Sequence, residues 1–182
     1  MLKTASAGAL LATVMLTGCS TTQPPARLSN TVGQLNRDLS RLSAQSAAIS
    51  YQRQLNANST RGAWLLPLAD SPVALVTPYG RLLTQISPNA HGGLPVLLVK
   101  NLQSEILPPF TLTAELAVVS AGNNYHQATP KVLQQQVVQR AVPLAPAEQA
   151  RFILPQVTLK GDQVLVVNVH QFSPEFSSRS AH

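Results

Sequence analysis

The heptapeptide Phe110-Thr111-Leu112-Thr113-Ala114-Glu115-Leu116 places an apolar residue at every second position. Alternation of that period marks a half-buried β-strand, because successive side chains leave a pleated strand on opposite sides. Val164-Leu165-Val166-Val167-Asn168-Val169-His170 shows the same habit near the C-terminal end. Around these two, β-prone runs occupy residues 63–66, 73–76, 81–86, 96–102, 132–138 and 151–159. The run at 132–138 contains Gln134, Gln135 and Gln136 in succession, and a helix stays open as an alternative there. Ser87-Pro88-Asn89-Ala90-His91-Gly92-Gly93, Ala121-Gly122-Asn123-Asn124 and Lys160-Gly161-Asp162 read as turns between runs. Pro67, Pro72, Pro78, Pro95, Pro108, Pro109, Pro143 and Pro155 belong at strand ends or edges, where a missing amide donor costs least. Seven or eight strands spaced by about 10 to 15 residues predict a mainly β protein, an antiparallel sandwich over residues 59–172.

Upstream the period changes. Leu28, Val32, Leu35, Leu39, Leu42 and Ile49 follow a four-three spacing that lines one stripe of a helix over 28–58, while Ser46 and Arg53 interrupt its later positions. A coiled coil through residues 28–50 would use this seam for a homo-oligomer. The seam loses apolar residues after Leu42, and Ser, Gln, Asn and Ala flank it rather than complementary charges. Packing in cis on the following domain, or a weakly ordered helix, is therefore the favoured reading.

The first residues carry an address. Lys3 precedes an apolar run to Leu16, and Leu16-Thr17-Gly18-Cys19 ends it with the only cysteine of the chain. A cation followed by a short apolar core and a small-residue cleavage site is a signal peptide, here 1–18. The run is well short of the ~20 residues that span a bilayer. The box predicts lipidation of Cys19, cleavage before it and a lipid-anchored mature protein. Ser20, rather than Asp, points to the outer membrane, with the protein facing the periplasm. Residues 19–27, with Pro24 and Pro25, read as a flexible tether, and 173–182 as a disordered tail. No thiol is left for disulfides once Cys19 is acylated.

The formal net charge is +6 over 182 residues. The cations are scattered rather than clustered, which argues for solvated surface and against nucleic acid. The expected partners are the membrane, through the anchor, and an envelope protein or peptidoglycan.

Catalytic signatures are missing from the spacing. His91, His126, His170 and His182 lie far apart, without a spacing that puts two ligands on one element, so no metal is expected. The acids Asp38, Asp70, Glu105, Glu115, Glu148, Asp162 and Glu175 form no close pair along the chain. Gly92-Gly93 is a turn signal and no phosphate-binding loop, and no nucleophile elbow is present. The expectation is a non-enzymatic binding or envelope-assembly module with no cofactor and no catalytic residue. The alternative is an enzyme or enzyme regulator acting on peptidoglycan or lipid through a site assembled in space. Trp64 is expected to pack at the mouth of the sandwich, its alternative being a surface platform for a sugar or peptide. Leu107-Pro108-Pro109-Phe110 reads as a rigid turn into the Phe110 strand.

Gln54-Leu55-Asn56-Ala57-Asn58-Ser59-Thr60-Arg61-Gly62-Ala63-Trp64-Leu65-Leu66-Pro67, continuing to Leu75, resembles the YajI-like enterobacterial lipoproteins. Residues 80–88 and Leu107-Pro108-Pro109-Phe110 to Glu115 resemble them as well, so the similarity runs from Cys19 to about Phe172. The resemblance implies an immunoglobulin-like β-sandwich preceded by an amphipathic helix. It brings no catalytic or binding residue with it.

Overall fold

The structure is a computed structural model, described here over residues 26–91, 93–120 and 128–175. Cys19, the signal segment, His126, the 121–124 turn and residues 176–182 lie outside the described residues. The chain forms two units, Met1–Arg37 and Asp38–His182. One helix, α1 (Ala26–Ala57), starts in the first and ends in the second. It takes in Ala26 and Arg27, which the sequence assigned to the tether. Pro24-Pro25 stands just before it, and proline is well tolerated at a helix start, where no amide donor is needed.

The second unit contains eight strands in the order β1 (Ala63–Leu65), β2 (Val73–Thr77), β3 (Gly80–His91), β4 (Leu94–Asn101), β5 (Phe110–Ser120), β6 (Lys131–Arg140), β7 (Gln149–Ile153) and β8 (Gln163–Pro174). They build two four-stranded antiparallel sheets, β1-β8-β5-β6 and β2-β3-β4-β7. Every expected run is a strand, including the glutamine-rich one, which β5 holds along its length. Of the expected description, the mainly β two-sheet architecture with a leading helix is what the chain has.

Three boundaries moved. β3 continues to His91 through most of the stretch read as a turn, with a register irregularity between Ser87 and His91. Pro88 lacks a donor and falls inside that irregularity, so the hairpin tolerates it. β7 ends at Ile153, because Pro155 cannot continue the ladder. β8 includes Ser173 and Pro174, assigned above to the tail, because they pair with Thr111 and Phe110.

The inner faces supply the core. Leu82, Ile86, Leu97 and Val99 of one sheet meet Leu65, Phe110, Leu112, Leu116, Val167 and Val169 of the other. Full burial of such a side chain is worth roughly 1.5–3 kcal/mol. Phe110 also meets Phe172 with ring centroids 5.1 Å apart and Phe152 edge-on at 6.3 Å.

A second cluster lies on the outer face of the first sheet. Ala48 and Tyr51 of α1 pack there on Val119 and Val166, with Leu66 and Ala69 beside them. This corrects the helical stripe. In the first unit Val32 and Leu35 are exposed, and in the second Leu39 and Leu42 are 56% and 55% exposed. Among the described side chains of the expected stripe, only Ile49 packs on the cluster. The buried face instead comprises Gln45, Ala48, Tyr51, Gln52 and Asn56, at helical spacing but partly polar. Reading apolar residues alone rotates the helix onto the wrong side.

The amides explain that rotation. β1 pairs with β8 on one edge only. On its other side Asn56 accepts from the Trp64 N–H at 2.9 Å and donates to the Trp64 carbonyl at 2.7 Å. Gln52 accepts from the Leu66 N–H at 2.7 Å and donates to the Ser71 carbonyl at 3.0 Å. Four residues of helix rise about 6 Å, close to the ~6.7 Å covered by two residues of strand. Two amides at i and i+4 therefore match alternate strand residues, and α1 closes the open edge as a missing strand would.

Candidate functional site

α1 covers only part of the outer face of the first sheet. Where it lies, the sheet presents Val119 and Val166; beyond its end the same face turns polar. Alternation places Asn168 and His170 of β8, and Thr113 and Glu115 of β5, on this outer side. Register then joins them: Glu115 sits opposite Asn168, Thr113 opposite His170, and Trp64 opposite Asn168 on the other flank. A groove of about 420 Å³ forms over Trp64, Glu115, Asn168 and His170, rimmed by the 58–61 loop that follows α1.

The contacts are specific. His170 Nε2 lies 3.2 Å from Glu115 Oε1, a close contact that lacks the alignment of a hydrogen bond. The Asn168 amide donates to Glu115 Oε2 at 3.4 Å. Asn168 is 6% and His170 9% exposed, and Asn168 Oδ1 is buried without a hydrogen-bond partner. Leaving such an atom unpaired costs about 1–3 kcal/mol.

Two backbone features hold the geometry. Gly62 has φ +74, and a Cβ there would sit 2.3 Å from the Val169 carbonyl and 2.9 Å from Asn168 Oδ1. Only glycine lets the loop close this tightly over β8. Gln171 has φ 53 and lies at a register shift between Thr111 and Thr113. The Thr113 hydroxyl donates to Gln171 Oε1 at 3.0 Å, so His170 and Gln171 both serve the Thr113 position. Such bulges re-aim side chains beside functional surfaces.

A larger groove, about 770 Å³, lies between α1, the 3-10 turn Pro67–Ala69 and the start of β8. Leu68, Pro95, Val157 and Leu165 give it an apolar floor. Two of its polar groups are already occupied: Gln45 donates to the Ala69 carbonyl, and Asp70 accepts from Gln85. The smaller groove is the better site, because its polar atoms are buried and incompletely paired.

Trp64 lines this groove and packs on the outer cluster, instead of standing at the mouth of the sandwich. Ala63 and Leu65 take the inward positions, so alternation sends Trp64 outward. Glu115, Asn168 and His170 were not picked out as a site from the sequence. Their outward positions are visible in the two alternating runs, but their adjacency depends on pairing across more than fifty residues of chain. Spacing along the chain left a site assembled in space open, and Glu115 and His170 do converge across strands. Among the described residues no group of three or more His, Cys, Asp or Glu could hold a metal.

The comparisons agree with the architecture. The chain is 28% identical over 166 residues to the uncharacterized lipoprotein YajI of Escherichia coli K12, covering 87% of this chain and 89% of that protein. The solution structure of that protein superposes with a TM-score of 0.58 at 23% identity, covering 76% of this chain and 85% of that one. A trimeric lipoprotein of Salmonella enterica, SadB, matches at a TM-score of 0.36 and 16% identity over 79% of this chain and 71% of that one, too low to inform the fold. The similarity to YajI over most of both chains supports a lipoprotein of unknown role. Because residues 19–178 match the family model described as protein of unknown function (DUF3251), the chain belongs to that family.

Proposed function

We propose that this protein is a non-enzymatic binding module, anchored by acylated Cys19 to the outer membrane and facing the periplasm. The observation that carries the proposal is the polar groove at the uncovered end of the first sheet, where Asn168 Oδ1 is buried and unpartnered beside Trp64 and Glu115. Rigid strands hold these groups and a glycine-closed loop rims them, which suits recognition by a preformed surface. The test is photocrosslinking in intact cells from Ser59, at the rim, with exposed Arg81 on the other sheet as control. An envelope component captured from Ser59 above the Arg81 background is the expected result. Equal backgrounds from both positions would remove the groove as a binding site. Fractionation tests the anchor: Cys19→Ala should release the protein from the membrane, and retention would overturn acylation.

One observation favours the second reading, an enzyme or enzyme regulator acting on peptidoglycan or lipid. Glu115 and His170 are titratable groups converging at 3.2 Å in a groove. Both Glu115 oxygens, however, face a neighbour, His170 Nε2 and Asn168 Nδ2, which suits a structural carboxylate better than a free base. Incubation with purified sacculi and with phospholipid vesicles, followed by mass spectrometry, separates the readings. Turnover abolished by Glu115→Gln would establish the enzyme.

A further inference from the structure

One row of side chains crosses all four strands of the outer face. Trp64 is opposite Asn168, Asn168 opposite Glu115, and Glu115 opposite Gln135 of β6. At about 4.7–4.9 Å between strands, the row extends ~14 Å. It offers an aromatic ring, an amide, a carboxylate and a second amide in sequence. The Trp64 backbone is fixed, because Asn56 binds both its main-chain N–H and its main-chain carbonyl. Gln135 is exposed at the far end.

The chemistry of the row narrows what it can hold. An apolar ligand would cover the partly exposed Glu115 carboxylate and the exposed Gln135 amide without pairing them. An anion would meet the Glu115 carboxylate, and a compact cation would find one carboxylate already facing His170. A molecule with an apolar face for the indole and a hydroxyl-rich edge for amide and carboxylate matches every position. We infer that the row binds a short oligosaccharide, lying across the strands with one ring against Trp64. The inference rests on the envelope-binding proposal and supplies its ligand class. Glycan strands of peptidoglycan and the core sugars of lipopolysaccharide share this chemistry.

The chain's single tryptophan is the probe. Mature acylated protein in a sugar-free zwitterionic detergent is titrated with chitotetraose and, separately, with lipopolysaccharide core oligosaccharide, following Trp64 fluorescence. A saturable change with one or both saccharides is expected, and the stronger ligand identifies the source. Loss of one hydrogen bond corresponds to about 2- to 13-fold in affinity, so Gln135→Ala and Glu115→Gln should each weaken binding by that range. Lys131→Ala, on the same strand outside the row, should leave it unchanged. Gln135 is exposed and Glu115→Gln is isosteric, so folding is not at stake in either variant. No saturable change up to 20 mM of either saccharide would overturn the inference, as would binding that both row variants leave intact. If Ser59 still captures an envelope protein while both saccharides fail, the ligand class falls and the binding module stands.

Discussion

Gln52→Ala gives the most direct test of how the helix is attached. The side chain is 3% exposed and holds two backbone groups at once, the Leu66 N–H and the Ser71 carbonyl. Truncation leaves the Leu66 N–H buried, since Leu66 is 1% exposed, at about 1–3 kcal/mol. Loss of the Ser71 bond adds about 1 kcal/mol. Alanine returns a few tenths of a kcal/mol through helix propensity. The net expectation is a loss of about 2–4 kcal/mol. Asn56→Ala should cost less, about 1–2 kcal/mol, because Asn56 is half-buried and water can reach Trp64 in its place. Both amides fix one strand, so the double variant should depart from additivity. Urea unfolding followed by far-UV circular dichroism reads this directly. With an m-value of about 2 kcal/mol/M, the Gln52→Ala midpoint should fall by about 1–2 M at unchanged slope. Exposed Arg53→Ala, one residue on, should move by less than about 0.5 kcal/mol. Equal midpoints for Gln52→Ala and Arg53→Ala would refute the idea that side-chain amides close the edge of β1.

Three further outcomes follow from the same structure. Gly62→Ala should destabilise by more than the roughly 1–2 kcal/mol of a left-handed non-glycine residue, because its Cβ would also strike the Val169 carbonyl; thermal unfolding checks it, and a neutral result would mean the loop does not close over β8. Tyr51 donates to the Ala128 carbonyl at 2.7 Å, and burial raises its phenol above the usual 10.0. Because the folded-state value is raised, this stabilisation is complete below pH 10 and lost as pH climbs through the folded value; Tyr51→Phe should abolish that alkaline component and cost about 1 kcal/mol at neutral pH. Leu39→Ser should change monomer stability by less than about 0.5 kcal/mol, since Leu39 is exposed, whereas a loss of several kcal/mol in chemical unfolding would show that the stripe packs after all.

The strands were legible because their evidence is local. Residues 110–120 and 163–174 alternate so plainly that inward and outward positions can be assigned before any partner is known, and prolines bound several of the runs. The box Leu16-Thr17-Gly18-Cys19 is likewise a local word in the sequence. The helix was legible in existence and misread in orientation. Leu35, Leu39 and Leu42 gave the apolar signal, while the face that packs carries Gln52 and Asn56, whose value lies in backbone groups of β1 that no periodicity reveals.

By itself, then, the sequence determined the element types and the two-sheet class and pointed to a lipoprotein. Tertiary structure alone decided that β8 would insert between β1 and β5, and so that Trp64, Asn168, Glu115 and Gln135 would share one row. Side-chain period is a property of neighbours along the chain, whereas cross-strand adjacency is fixed by which edges pair and in what register. A glutamate and a histidine separated by half the domain become a 3.2 Å pair only when that register is set.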